Sequence, residues 1–178
     1  MTTREDDQLP DQTKLFHIYE AQIVQHVYHI YISHELLAPT YYADMIFSIS
    51  NAQENDVVII HLNTPGGHLN TGIQIINAMR SSAAHVICSL EAEAHSMASL
   101  IFLAADEFVV HDSAMMMLHN FSGGVQGKGH EMAASVIGTK KWFQDTASKI
   151  YHPFLSRAEI TRMFKGEDIY LHSDDISK

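Results

Sequence analysis

Apolar residues recur along this chain in two rhythms, one of period two and one of period three to four. From Ile23 to Ile32 they alternate with polar ones (Val24, Val27, Ile30, Ile32), which predicts a strand. Leu37, Tyr41, Met45 and Ile49 repeat at helical spacing and predict a helix over about 38–50. Val57-Val58-Ile59-Ile60-His61-Leu62 is nearly continuous and β-branched, the pattern of a strand buried on both faces of a parallel sheet. Asn63-Thr64-Pro65-Gly66-Gly67 breaks it, and Leu69, Ile73, Ile76 and Met79 then mark a helical face. Val86 to Leu90 reads as a strand, Met97 to Ala105 as a helix, and Glu107–Val110 and Ala114–Leu118 as short strands. Strands alternating with helices argue an α/β fold.

The last third of the chain has a different texture. Gly129 to about Tyr151, carrying Met132, Val136, Trp142 and Phe143, predicts a helix closed by Pro153. Such a helix would be a rod of roughly 36 Å at 1.5 Å per residue. Ser156-Arg157-Ala158-Glu159 has the form of a capping box, and that helix should stop at Lys165-Gly166. At the other end, residues 1 to about 16 are polar, include Pro10, and read as a flexible segment preceding a single domain over 17–178.

Composition narrows the classes of partner. The chain has 178 residues, 46% hydrophobic and 18% charged, the balance of a globular domain. Its formal net charge of -10 argues against nucleic acid or an anionic membrane as the main partner, since both select basic surfaces. The acidic N-terminus lacks the apolar core of a signal peptide, and Met97 to Ala105 is too short to span a bilayer. The one cysteine, Cys88, sits in an apolar run and reads as a buried small hydrophobe, which fits a reducing, cytoplasmic setting. The thirteen histidines show no metal-binding spacing, so neither a metal nor a cofactor is expected.

The polar residues that stand out do so by their surroundings. Ser96, in Ala94-His95-Ser96-Met97-Ala98, lies where a predicted strand turns into a predicted helix. Backbone N–H groups and the helix dipole there favour developing negative charge, as at a nucleophile elbow. A helix N-cap serine is the plainer reading of the same residue. His119 ends the run Met115-Met116-Met117-Leu118, where strand ends face the crevice of an α/β sheet. His95 is adjacent to the serine, but neighbouring side chains point apart, so His119 is the preferred base. Asp168 follows Gly166-Glu167, and Gly66-Gly67 could turn a bare N–H toward a substrate oxygen. Together these are the parts of a serine hydrolase.

In order and spacing these motifs resemble the Clp protease proteolytic subunit (ClpP) family, from about Ile23 to Asp175. Asn63-Thr64-Pro65-Gly66-Gly67 is similar to the family's N-S-P-G-G turn, and Ala94-His95-Ser96-Met97-Ala98 to its A-A-S-M-G nucleophile turn. Met117-Leu118-His119-Asn120, then Gly123-Gly124-Val125-Gln126-Gly127, resembles its M-I-H-Q element and the glycine-rich strand beyond. The helix from Gly129 resembles its handle, here about 121–153, and Glu167-Asp168-Ile169-Tyr170-Leu171 the segment bearing its catalytic aspartate. The implied fold is a ClpP/crotonase-like spiral of β-β-α units with a protruding handle helix.

The resemblance implies a catalytic set of Ser96 as nucleophile, His119 as base and Asp168 as its orienting carboxylate. Gly67 and Met97 would form the oxyanion hole, and Gly66, Gly124 and Val125 would bind an extended peptide. It also implies a homo-oligomer, a heptameric ring that stacks into a tetradecamer, with unfolded polypeptide as substrate and an AAA+ unfoldase as partner. A histidine base acts only while neutral, so the rate should fall between about pH 8 and 5.

The sequence departs from the family at His95 and Ala98, which replace smaller residues, and at an acidic N-terminus unlike the axial loop. It also ends at Lys178, where members continue through another helix and strand. Two alternatives follow. One is a catalytically weak ring subunit that modulates full-length ClpP subunits. The other is a crotonase-like acyl-CoA enzyme, which would also use the Gly-Gly turn.

Overall fold

The computed structural model describes Glu20, residues 24–152 and residues 154–177. The expected flexible segment 1–16, the first residue of the expected first strand (Ile23), Pro153 and Lys178 lie outside them. In chain order the elements are β1 (Val27–Ile32), a 3-10 turn (Pro39–Tyr42), α1 (Ala43–Asn51), β2 (Val57–Thr64), α2 (Leu69–Ser81) and β3 (His85–His95). Then come α3 (Met97–Phe102), β4 (Glu107–Val110), β5 (Met115–Leu118), α4 (Gly129–Tyr151), α5 (Arg157–Phe164), β6 (Ile169–His172) and α6 (Ser173–Ile176). The expected α/β alternation is therefore present.

The strands form one mixed sheet in the order β1-β2-β3-β5-β6, with β4 also paired to β3. All pairs are parallel except β5 with β6. β3 is the hub. Its first half, Ile87–Leu90, pairs β4, and its second half, Glu93–His95, pairs β5. Between the halves its register against β2 shifts, from Leu62↔Leu90 to Thr64↔Ala94. That irregularity bends the strand and re-aims its end. The sequence pattern placed only Val86–Leu90 in this strand, because Glu and Ala have poor strand propensity. Pairing with β5 supplies what propensity does not.

β2 was expected to be buried on both faces. Instead its burial alternates: Val58, Ile60 and Leu62 are fully buried, while Val57, Ile59 and His61 are half-buried. The hydrophobic core lies on the Val58 side, packed with Ile75, Ile76, Leu100, Ile101 and Phe102 from α2 and α3. On the more open side, His61 Nδ1 meets Glu91 Oε1 at 2.5 Å and His61 Nε2 meets His29 Nδ1 at 3.0 Å. Tyr31 stacks on the same imidazole with ring centres 4.2 Å apart. A carboxylate only accepts, so His61 donates from Nδ1. That bond and one from Ser89 hold the Glu91 pKa below its ordinary value.

The expected helix over 38–50 divides in two, because Pro39 opens a 3-10 turn before α1 begins. The expected Met97–Ala105 helix ends at Phe102, where Leu103 caps it and a turn follows. In α5 the capping box is made as expected: Ser156 N–H donates to Glu159 Oε2 at 2.8 Å, and Glu159 N–H to Ser156 Oγ at 3.3 Å. α4 matches its expected span, but its buried residues are Phe143, Ala147, Ile150 and Tyr151, all in the second half. The stretch before it, 119–128, is irregular, so the expected glycine-rich strand holding Gly124 and Val125 is not a strand here. A strand needs a ladder partner, and among the described residues no strand pairs with this segment.

Asp56, nearly fully buried at the foot of β2, ties three segments together. It accepts from Gln53 N–H at 2.8 Å and from His26 N–H at 2.9 Å. These backbone bonds hold its pKa below the ordinary 3.8. A lowered carboxylate pKa stabilises the fold above the unfolded value, and that stability is lost as pH falls through the folded value. We therefore expect Asp56→Asn to be less stable than the parent in urea unfolding at pH 7, with the gap narrowing as pH drops below about 4. A gap that is constant with pH would show that the carboxylate charge is not what the two N–H groups require.

Candidate active site

Ser96 stands at the joint between β3 and α3, the N-cap of a helix whose residues Met97 to Phe102 are all buried. Its backbone has φ 55 and ψ -121, and it is the one non-glycine residue with positive φ among those described. Such a conformation costs roughly 1–3 kcal/mol and persists only where surrounding contacts fix it. Here Ser96 N–H donates to Met117 O at 2.8 Å, and Ser96 O accepts from Ser99 N–H at 3.1 Å and from Ser99 Oγ at 2.6 Å. The strand end is thus held by β5 on one side and by the first turn of α3 on the other.

β5 also delivers His119, the residue after its last ladder position. His119 Nε2 lies 2.6 Å from Ser96 Oγ. The neutral imidazole accepts the hydroxyl proton at Nε2 when Nδ1 carries its own proton. His95 goes elsewhere: its Nδ1 is 3.4 Å from Glu93, its ring meets Tyr170 edge-on, and its Nε2 is buried with no partner.

The glycine turn approaches the same joint from β2. Gly66 has φ +89, and a Cβ there would sit 2.4 Å from His95 O and 2.9 Å from Met97 N. Only a residue without a side chain allows this approach. Gly66 does not line the cavity beside Ser96, and its polar groups are spent: its N–H donates to Thr64 Oγ1 and its O accepts from Leu36 N–H. In this structure Gly66 packs beneath the serine turn. Gly67 does line the cavity, and its N–H makes no hydrogen bond among the described residues. Met97 N–H opens α3, where no helical acceptor exists for it. Gly72 of α2 lets Met97 seat closely, since a Cβ there would be 2.1 Å from Met97 Cγ.

These groups face a cavity of about 400 Å³, with Met97, Leu100, Phe143 and Tyr151 on its apolar side and Ser96, His119, His68 and Asn70 on its polar side. The irregular segment supplies Phe121, Ser122, Gly123 and Gly124 to its rim. Val125 lies one residue further, in a smaller adjoining cavity of about 150 Å³ bounded by Val136 and Thr139. Leu100, Phe143 and Tyr151 were not among the site residues expected from the sequence, and only the crossing of α3 and α4 turns them toward the serine.

Asp168 precedes β6, whose ladder with β5 ends at Leu118↔Ile169. One step further along that antiparallel register places Asp168 beside His119. Its side chain is exposed, and no hydrogen bond joins it to His119 in this structure. Two other candidates can be placed. Cys88 is fully buried, and burial pushes its thiol pKa up. Among the described residues no group of three His, Cys, Asp or Glu side chains is disposed to hold a metal ion.

The strain at Ser96 can be read directly. Ser96→Gly should be more stable than Ser96→Ala by about 1 kcal/mol in urea unfolding, because glycine adopts positive φ without a Cβ clash. The reverse order would mean that the joint carries no strain.

Comparison with known proteins gives this geometry a context. A family model described as Clp protease matches residues 13–153, a span that contains Ser96 and His119 and stops before Asp168. The chain is 29% identical over 120 residues to the ATP-dependent Clp protease proteolytic subunit 2 of Chlamydia pneumoniae, covering 65% of this chain and 59% of that protein. It is 30% identical over 112 residues to the subunit 2 of Chlamydia trachomatis serovar D, covering 60% and 55%. With the Pseudomonas aeruginosa subunit 2 it shares 33% identity over 75 residues, covering 41% and 37%. The chain thus spans less than two thirds of the length of these relatives. A match over most of its own length, joined to a serine–histidine pair at a strained strand-to-helix turn, places the chain in the Clp protease family.

Proposed function

We propose that this chain is a serine endopeptidase subunit of the ATP-dependent type, cleaving unfolded polypeptide through an acyl-enzyme inside an oligomeric ring. The observation that carries the reading is the 2.6 Å contact between Ser96 Oγ and His119 Nε2, made at a strained turn beside two uncommitted N–H groups.

In the first step Ser96 Oγ attacks the scissile carbonyl carbon while its proton passes to His119 Nε2. The carbonyl oxygen gains negative charge and is received by the N–H groups of Gly67 and Met97, the second at the positive end of α3. The C–N bond then breaks, the amine leaves with the proton from His119, and the acyl group remains on Ser96 Oγ. Water then attacks the acyl carbon and passes a proton to His119 Nε2, which returns it to Ser96 Oγ as the ester bond breaks and the carboxylic acid leaves. Asp168 is the carboxylate for His119 Nδ1, reached by a side-chain movement from its place beside His119 at the end of the β5–β6 ladder. The apolar side of the cavity accepts a hydrophobic side chain. The unpaired backbone at Gly124 and Val125 offers hydrogen bonds to an extended peptide.

Assembly belongs to the same proposal. The N-terminal half of α4 has no fully buried residue, and its Val136, Ile137 and Trp142 are exposed. That suits a handle which packs ring on ring, on a spiral core of β-β-α units. The ring would be a heptamer, stacked in pairs and fed by an AAA+ unfoldase. The open Asp168–His119 gap favours one second reading, a weakly catalytic ring subunit that works with full-length ClpP subunits.

A fluorophosphonate probe with peptide mass spectrometry, beside hydrolysis of an unstructured peptide, tests the proposal. Labelling should fall on Ser96 alone, and Ser96→Ala or His119→Ala should lower hydrolysis by about a thousandfold or more. Hydrolysis that survives Ser96→Ala would overturn the reading. A folded ring with neither labelling nor turnover would establish the second. Asp168→Asn should lower kcat at least about a hundredfold with KM little changed, and an unchanged kcat would remove Asp168 from the mechanism.

A further inference from the structure

Tyr151 and Ser99 are fully buried, and their hydroxyl groups take no part in the mechanism above. Tyr151 is the last residue of α4, and Ser99 sits in the first turn of α3, 52 positions earlier in the chain. Their hydroxyl oxygens are 2.9 Å apart. Ser99 Oγ is also 2.6 Å from Ser96 O. A carbonyl oxygen can only accept, so the single Ser99 proton goes to Ser96 O, and Tyr151 must donate to Ser99 Oγ. Burial raises the Tyr151 pKa, so the phenol keeps the proton this bond requires. The result is a directed chain: Tyr151 OH to Ser99 Oγ, then Ser99 OH to Ser96 O.

The end of that chain is the carbonyl of the residue with positive φ. A strained backbone stays in place only while its contacts over-determine it. The start is the inner end of a helix whose outer half is exposed and which follows directly on the segment rimming the cavity. We infer that Ser99 and Tyr151 are positioning residues. Their hydroxyl groups hold the Ser96 peptide in its strained geometry. This rests on the reading of Ser96 as nucleophile. A displacement of about 1 Å at a reacting atom is enough to lower a rate by up to a hundredfold.

The test must separate positioning from core packing, because an orphaned buried hydroxyl destabilises any fold. Tyr151→Phe, Ser99→Ala and the double variant are compared in the full-length protein by three measurements. These are the rate of fluorophosphonate labelling at Ser96, the urea unfolding midpoint, and amide hydrogen exchange over residues 96–100. Each single variant should label about tenfold more slowly and exchange faster at 96–100. Ser99→Ala should also unfold at lower urea, since it strands the phenol. The double variant removes both polar groups, so its midpoint should return toward the parent's while labelling stays about tenfold slow. Recovery of labelling together with stability would overturn the inference and leave the pair as packing. Should the parent itself fail to label, the nucleophile reading falls separately. Exchange at 96–100 in the double variant then decides the positioning role: faster supports it, unchanged overturns it.

Discussion

Everything at the site depends on one backbone torsion. The chain leaves β3 extended and enters α3 helical, and only the positive φ of Ser96 joins the two at this angle. The rest of the fold is arranged to sustain it. The shift in β3 swings the strand end onto β5, which accepts the Ser96 N–H and brings His119 alongside. Gly66 removes the side chain that would collide with the joint from below, and Gly72 does the same for Met97. A strained residue held by β5 on one side and by the first turn of α3 on the other is ordered before any ligand arrives, which is what preorganisation means in structural terms.

The polar parts of the site come from separate layers of the fold. The serine and one N–H come from the β3–α3 joint, the second N–H from the turn after β2, and the histidine from the end of β5. Parallel strands ending at the same edge make this convergence possible, since their C-terminal ends share one rim. The carboxylate is the exception, because β6 is antiparallel and presents its beginning to that rim. Asp168 therefore stands just before a short edge strand near the end of the described chain, and its side chain is exposed.

Much of this was legible in the residues. The β-branched run 57–62, the Gly-Gly break and the small residues around Ser96 each encode a local choice whose energy is nearly independent of context. What was not legible depends on pairing. The extension of β3 through Glu93-Ala94-His95 exists because β5 lies beside it. The segment with Gly123 and Gly124 resembles a strand in composition but has no strand to pair with among the described residues. The half-burial of Val57 and Ile59 follows from where the helices pack, and no periodicity within β2 records that. Among the site residues, Ser99 had a faint local signal, three positions after a helix-capping serine. Tyr151 had none, because its contact with Ser99 spans the chain from α3 to the end of α4.

The bare outer half of α4 has a thermodynamic consequence of its own. From Gly129 to Trp142 the helix has no buried side chain, and it carries Gly129, Gly138, Thr139 and two β-branched apolar residues. Isolated helices shorter than about 12–15 residues are marginal in water even with favourable sequences. This half thus rests on a helix–coil balance to which the core contributes little. Any surface that covers Val136, Ile137 and Trp142 would shift that balance. Covering those residues and completing the helix would then be linked as a single equilibrium.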